Sequence, residues 1–117
     1  MIDLINITLC LLSAGIGAIG WIAPRYTMAA LDMTPGTTTM GHSEIRASSG
    51  ALFVGLGLGA IALGTPMGYA MVGFAWGGAA LGRLTSILAD GAVTRQKFTF
   101  FAVEAAVAIP LLALNLG

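Results

Sequence analysis

Residues 67–104 read MGYAMVGFAWGGAALGRLTSILADGAVTRQKFTFFAVE. One apolar run carries a single arginine, Arg83; a short polar turn follows, and then a second apolar run with a single acid, Glu104. Arg83 lies seven residues before Asp90 and Glu104 seven after Lys97, so at about 1.5 Å per residue both sit ~10 Å from their helix ends. If the runs are antiparallel helices in a membrane, the two charges meet at one depth. Pairing is the expected solution there, because an isolated charge at mid-helix costs ~2.5–3.5 kcal/mol on insertion scales.

Outward from this stretch the same texture repeats. The chain is 57% hydrophobic and only 9% charged, too apolar for helices that must turn a polar face to water. Apolar runs predict spans at about 4–23, 44–64, 67–89 and 98–116, each close to the ~20 residues that cross ~30 Å of hydrocarbon. The expectation is an all-α protein, a four-helix transmembrane bundle of antiparallel up-down connectivity, in one domain over 1–117. Only residues 24–42 between spans could hold anything extra, and nothing there suggests a second domain. Met1-Ile2-Asp3 is acidic where a secretory signal would be basic, so the first run reads as a retained span.

Arg25, Arg46, Arg83, Arg95 and Lys97 all fall on or nearest the side of the two longer loops. The positive-inside rule makes that side cytoplasmic and leaves both termini periplasmic. Cys10 is the only cysteine and follows Leu9 where a lipoprotein site would carry a small residue, so it reads as a core side chain. Trp21 and Tyr26 suit an interfacial belt, and Trp76, in mid-span, suits burial. Residues 25–33 predict a short helix on the cytoplasmic surface, and Pro110 a kink in the last span.

Small residues recur at four-residue steps: Ala47, Ala51, Gly55 and Gly59 in the second span, then Gly73 with Gly77 and Gly78 with Gly82 in the third. Ser13 and Gly17 repeat the step in the first. Such stripes let backbones approach closely in lipid, where the hydrophobic effect no longer drives helix association. They are expected to pack within the chain, with any surplus glycine face left for another subunit.

Arg83, Ser86 and Asp90 share one helix face at i, i+3 and i+7. Glu104 projects from the next span, and Glu44 and Arg46 open the second span on the same side, with His42 just before them. These six polar residues are expected to converge in the cytoplasmic half. An ion-pair clamp is the first reading. The second is a polar pocket in which Arg83 or Arg46 binds an anionic group and Glu104 relays a proton. The sole histidine, His42, excludes a bis-histidine haem site within one chain and reads as a solvated loop-end residue. No metal cluster, phosphate loop, dinucleotide fingerprint or nucleophile elbow is present, and basic residues are too few for a nucleic-acid surface. No cofactor is expected, and nothing suggests an enzyme.

Glu44-x-Arg46 with Gly50, then Gly82-Arg83 with Ser86 and Asp90-Gly91, then a lone Glu104 together resemble a family of small bacterial four-helix membrane proteins catalogued as a domain of unknown function. The resemblance covers nearly the whole chain, and Gly82-Arg83 with Asp90-Gly91 is its most specific part. It implies a four-helix bundle in the inner membrane and supplies no activity. Small multidrug resistance transporters have a similar length and helix number, but they carry an essential glutamate in the first span, where residues 4–23 have no acid. The reading is a small structural or accessory membrane protein, with membrane lipids, a second copy or a larger complex as partners. The alternative is a transporter or binding protein for an anionic or amphipathic ligand, its site lined by Arg46, Arg83 and Glu104.

Overall fold

The computed structural model describes residues 2–91 and 94–117; Ala92 and Val93, within the turn expected at 90–97, lie outside the described residues. Helix α1 spans Ile2–Ile22 and α2 spans Pro24–Ala30. Helix α3 runs Met40–Leu63 with a π-helical segment at Ala47–Ala51, α4 runs Pro66–Ala89, and α5 runs Arg95–Asn115. All described regular structure is helical. Four of these helices, α1, α3, α4 and α5, are long and apolar enough to cross a membrane.

Local chemistry sets the boundaries. Ala23 precedes a proline and leaves the helical region (φ −122°, ψ 65°), as the clash with a proline ring demands, and Pro24 then opens α2 at a position where no backbone N–H is needed. Helix α3 stops at Gly64, whose left-handed φ of 62° favours a residue without Cβ. Thr65 then caps α4, its hydroxyl accepting from Gly68 N at 3.2 Å, and Thr94 caps α5 by accepting from Lys97 N at 3.2 Å. Helix α3 begins before its apolar run, at Met40, and α5 continues unbroken through Pro110.

The helices pack foremost as two pairs, α1 with α3 and α4 with α5. In the first pair Gly57 rests on the Cys10 carbonyl, Gly17 on Gly50 and Val54, and Gly20 on Ser49; positions rise along one helix as they fall along the other. A Cβ at Gly57 would stand 2.3 Å from the Cys10 carbonyl oxygen and one at Gly50 2.6 Å from Trp21 N. Both obstacles are backbone, so only glycine fits. In the second pair Gly73 lies against Leu111 and Leu112, and Gly77 against Ala108.

This corrects the expected glycine stripe. Gly55, Gly59, Gly78 and Gly82 have open space where a Cβ would stand, and Ala51 is only partly covered. The α1 seam on α3 instead runs through Gly50, Val54 and Gly57. A strict four-residue step drifts ~40° around an α-helix at each repeat, whereas seven residues return to within ~20°. The π segment at Ala47–Ala51 also holds an extra residue per turn, which shifts the phase of everything before it.

The two pairs meet at the end that carries both termini and the Gly64 turn. Cys10, Ala60, Tyr69, Val72, Trp76, Val107, Ala108 and Leu111 form one buried cluster drawn from all four long helices. Polar side chains inside it are tied: Trp76 Nε1 donates to Ser13 Oγ at 3.0 Å, and Ser13 Oγ donates to the Phe53 carbonyl at 3.2 Å. Asn6 and Asn115 close a reciprocal amide pair at 3.0 and 2.8 Å, joining α1 to α5. The whole is a slab, 45 × 30 × 16 Å.

Candidate functional site

At the opposite end, which carries the two longer loops, Arg46 and Arg83 each act within one helix pair. Arg83 and Glu104 form a two-pronged salt bridge between α4 and α5, with Nε donating to Oε1 at 3.2 Å and Nη2 to Oε2 at 3.1 Å. The carboxylate is nearly sealed and the guanidinium about a third open, at 9% and 31% side-chain exposure. The guanidinium carbon also sits 5.3 Å from the centre of the Phe100 ring, a cation–π distance. Both carboxylate oxygens are engaged, which is the geometry of a clamp.

The other expected members of the network stand apart from that pair. Arg46 belongs to the first helix pair and donates through Nη1 to the Trp21 carbonyl at 2.7 Å. Glu44 and Asp90 are exposed, Asp90 closing α4 with its backbone N–H on the Ser86 carbonyl, and Ser86 is half-buried. The six residues therefore divide between two places, because the segments that present Glu44 and Arg46 pack on α1 and α2 rather than on α4. Distance along a helix predicts depth, and it does not say which neighbour a face meets.

The place around Arg46 is a cavity of about 800 Å³. Its walls come from the end of α1, the start of α2 and the first turns of α3. Arg25 and Arg46 supply positive charge, Tyr26, Thr39 and Ser43 supply hydroxyls, and no acid is among the described lining residues. Trp21, Ile22, Ala47 and Ala51 form the apolar part of the wall. The π segment builds this shape: it lets Gly50 press against the backbone of Gly20 and Trp21, and Arg46 ties the same turn to the Trp21 carbonyl.

His42 is half-buried, with its ring nitrogens covered, where a solvated loop-end histidine was expected. Both ring nitrogens are buried and without a hydrogen-bond partner among the described residues. The ring stands between the large cavity and a neighbouring one of about 400 Å³ lined by Met28, Met33 and Pro35. Helix α2 folds back over the first turn of α3 and covers it, with Met28 buried and close to Gly41. Among the described residues no cluster of three or more potential metal ligands occurs. Gln96, at the start of α5, donates to the Ala30 carbonyl and so fastens the end of α2 to the second helix pair.

Arg25, Tyr26, Thr39 and Ser43 had no place in the expected site. The available signal was that Arg25 and Arg46 flank one loop that also contains His42, so that any fold bringing the loop ends together gathers them.

The chain matches the family described as Domain of unknown function (DUF4345) over residues 2–115 and belongs to that family. No curated protein and no solved structure matches it.

Proposed function

We propose that the protein is a small structural or accessory integral membrane protein of the bacterial inner membrane, acting by helix packing with a second copy of itself or with a larger membrane complex, and not an enzyme. Its four long helices cross the bilayer up and down. Both termini are periplasmic, because every basic residue lies toward the two longer loops.

The observation that supports this reading is the set of glycines left open on the outside. At Gly55 and Gly59 on α3, and at Gly78 and Gly82 on α4, an added Cβ would meet nothing among the described residues. Each glycine inside a helix costs roughly 0.5–1 kcal/mol relative to alanine, and lipid gives nothing in return. A partner helix does, through backbone approach and dispersion contact. The alternative site built on Arg46, Arg83 and Glu104 together is not favoured, since Arg46 lies in one helix pair and the clamp in the other.

One experiment in a Cys10→Ser background tests both association and orientation. A cysteine replacing Leu116 should react with an impermeant reagent on intact cells. Gly55→Leu should convert a detergent-purified oligomer to a folded monomer, read by light scattering and helical circular dichroism. A wild-type monomer in mild detergent with no co-purifying membrane protein would defeat the association reading. Labelling of position 116 only after permeabilisation would reverse the topology.

A further inference from the structure

The cavity at the loop end has the chemistry of a phosphate site with an apolar extension. Its volume of about 800 Å³ falls within the ~300–1,000 Å³ range of small-molecule pockets and exceeds what a bare inorganic anion needs. Arg25 and Arg46 line it with no acid among the described lining residues, so its potential selects for anions. Among the described residues the one salt bridge is Arg83 with Glu104, and neither cavity arginine has a carboxylate partner.

Arg46 is already held. One of its five N–H donors is spent on the Trp21 carbonyl, which fixes the guanidinium while leaving donors for the fork-like grip that arginine makes on phosphate. Hydroxyls of Tyr26 and Ser43 lie in the same wall. His42 adds a ring whose two buried nitrogens have no partner among the described residues. A buried polar atom without one costs ~1–3 kcal/mol, and no hydrogen bond would be lost if the ring turned a nitrogen toward a bound oxygen.

The rest of the lining is largely apolar: Trp21 and Ile22 at the end of α1, with Ala47 and Ala51 on α3. In a bilayer the ends of these helices lie at headgroup level, where tryptophan and tyrosine collect and where basic pockets between helices hold anionic headgroups.

We propose that this cavity binds a phosphate-bearing amphiphile, its phosphate on Arg25 and Arg46 beside His42 and its apolar part along Trp21, Ile22 and Ala51. The inference rests on the membrane placement given above and is independent of self-association. A phosphomonoester lipid fits better than a zwitterionic one, because a choline cation would face two arginines.

The test is native mass spectrometry of the delipidated full chain in neutral detergent, titrated with phosphatidic acid, with phosphatidylcholine of the same chains, and with inorganic phosphate. Detergent makes the readout independent of the topology and of the oligomer. One phosphatidic acid per chain is expected, bound about tenfold or more tightly over phosphatidylcholine, a difference of about 1.4 kcal/mol. Arg25→Gln and Arg46→Gln should each remove most of that preference, Arg46→Lys should keep part of it, and Arg95→Gln, a charge loss outside the cavity, should leave it unchanged. Arg46 also braces α1, so Arg25→Gln decides the matter if Arg46→Gln fails to fold. Equal binding of the two lipids, or an equal loss in Arg95→Gln, would overturn the site. Inorganic phosphate binding as tightly as the lipid would overturn the amphiphile and leave a free phosphate as the ligand.

Discussion

The two ends of the molecule are held together by different means. At the terminal end all four long helices contribute to one apolar cluster, and hydrogen bonds cross from pair to pair through Asn6 with Asn115 and Trp76 with Ser13. At the loop end each pair has its own arginine, Arg46 on the Trp21 carbonyl and Arg83 on Glu104. Gln96 on the Ala30 carbonyl joins the pairs there through an exposed contact. The arginines are thus kept within each pair where the loops gather, and the shared core between pairs lies at the terminal end. A cavity can exist at the loop end because no common core fills it.

The sharpest way to break this comparison is to attack a seam on the apolar side. Gly57→Leu would drive a side chain into the Cys10 carbonyl, which a Cβ already approaches at 2.3 Å. Backbone cannot step aside as a side-chain tip does, so the cost should exceed the ~1–3 kcal/mol of ordinary overpacking. The expected outcome is loss of a monodisperse folded species in detergent. The Gly55→Leu protein, altered two residues away, should remain a folded, monodisperse species, its loss limited to what the partner contact contributes. Similar damage from both would mean that the seam is misassigned.

Much of the architecture was legible because long apolar runs leave few options. The levels of Arg83 and Glu104 followed from their equal distances to the turn. What could not be read was which face of α3 meets α1. Gly55 and Gly57 differ by two residues, or ~200° around a helix, and the sequence offers small residues on both sides. The π segment, unannounced in the sequence, changes the phase of the residues before it relative to that face. The cavity was hidden for a different reason. Arg25, His42 and Arg46 come from α2 and α3, which a loop without hydrophobic period separates, and only the fold of α2 back onto α3 brings them together.

The loop-end clamp sharpens the comparison from the other side. Arg83→Met and Glu104→Gln each strip a charged group of its partner. A fully sealed pair broken in this way costs ~3–5 kcal/mol, and Arg83, at 31% side-chain exposure, should show less. The double variant should recover part of the loss in a double-mutant cycle on unfolding in detergent. Because the clamp acts inside α4 and α5, neither single change should alter lipid binding at the Arg46 cavity. Strictly additive losses would mean that Arg83 and Glu104 do not interact, and a change in that binding would mean that the two helix pairs are coupled at the loop end.

The smallest effect is expected at the amide pair that crosses between helix pairs. Asn6 is fully covered and exchanges two hydrogen bonds with Asn115, whose Nδ2 also donates to the Leu111 carbonyl at 2.7 Å. Asn6→Leu leaves the Asn115 oxygen without its donor, a penalty of ~1–3 kcal/mol for a buried polar atom. Asn115 is only partly buried, so water or a turn of its side chain can meet part of that need and hold the loss near the lower figure. Replacing both by leucine removes the unmet groups together and should come back close to wild type, since matched apolar replacement of both partners is nearly neutral. Melting temperatures of the three variants in one detergent decide it. If the double variant were worse than either single one, the amide pair would be a determinant of how α1 and α5 are placed, and the terminal end would owe its joint to polar matching as much as to its apolar core.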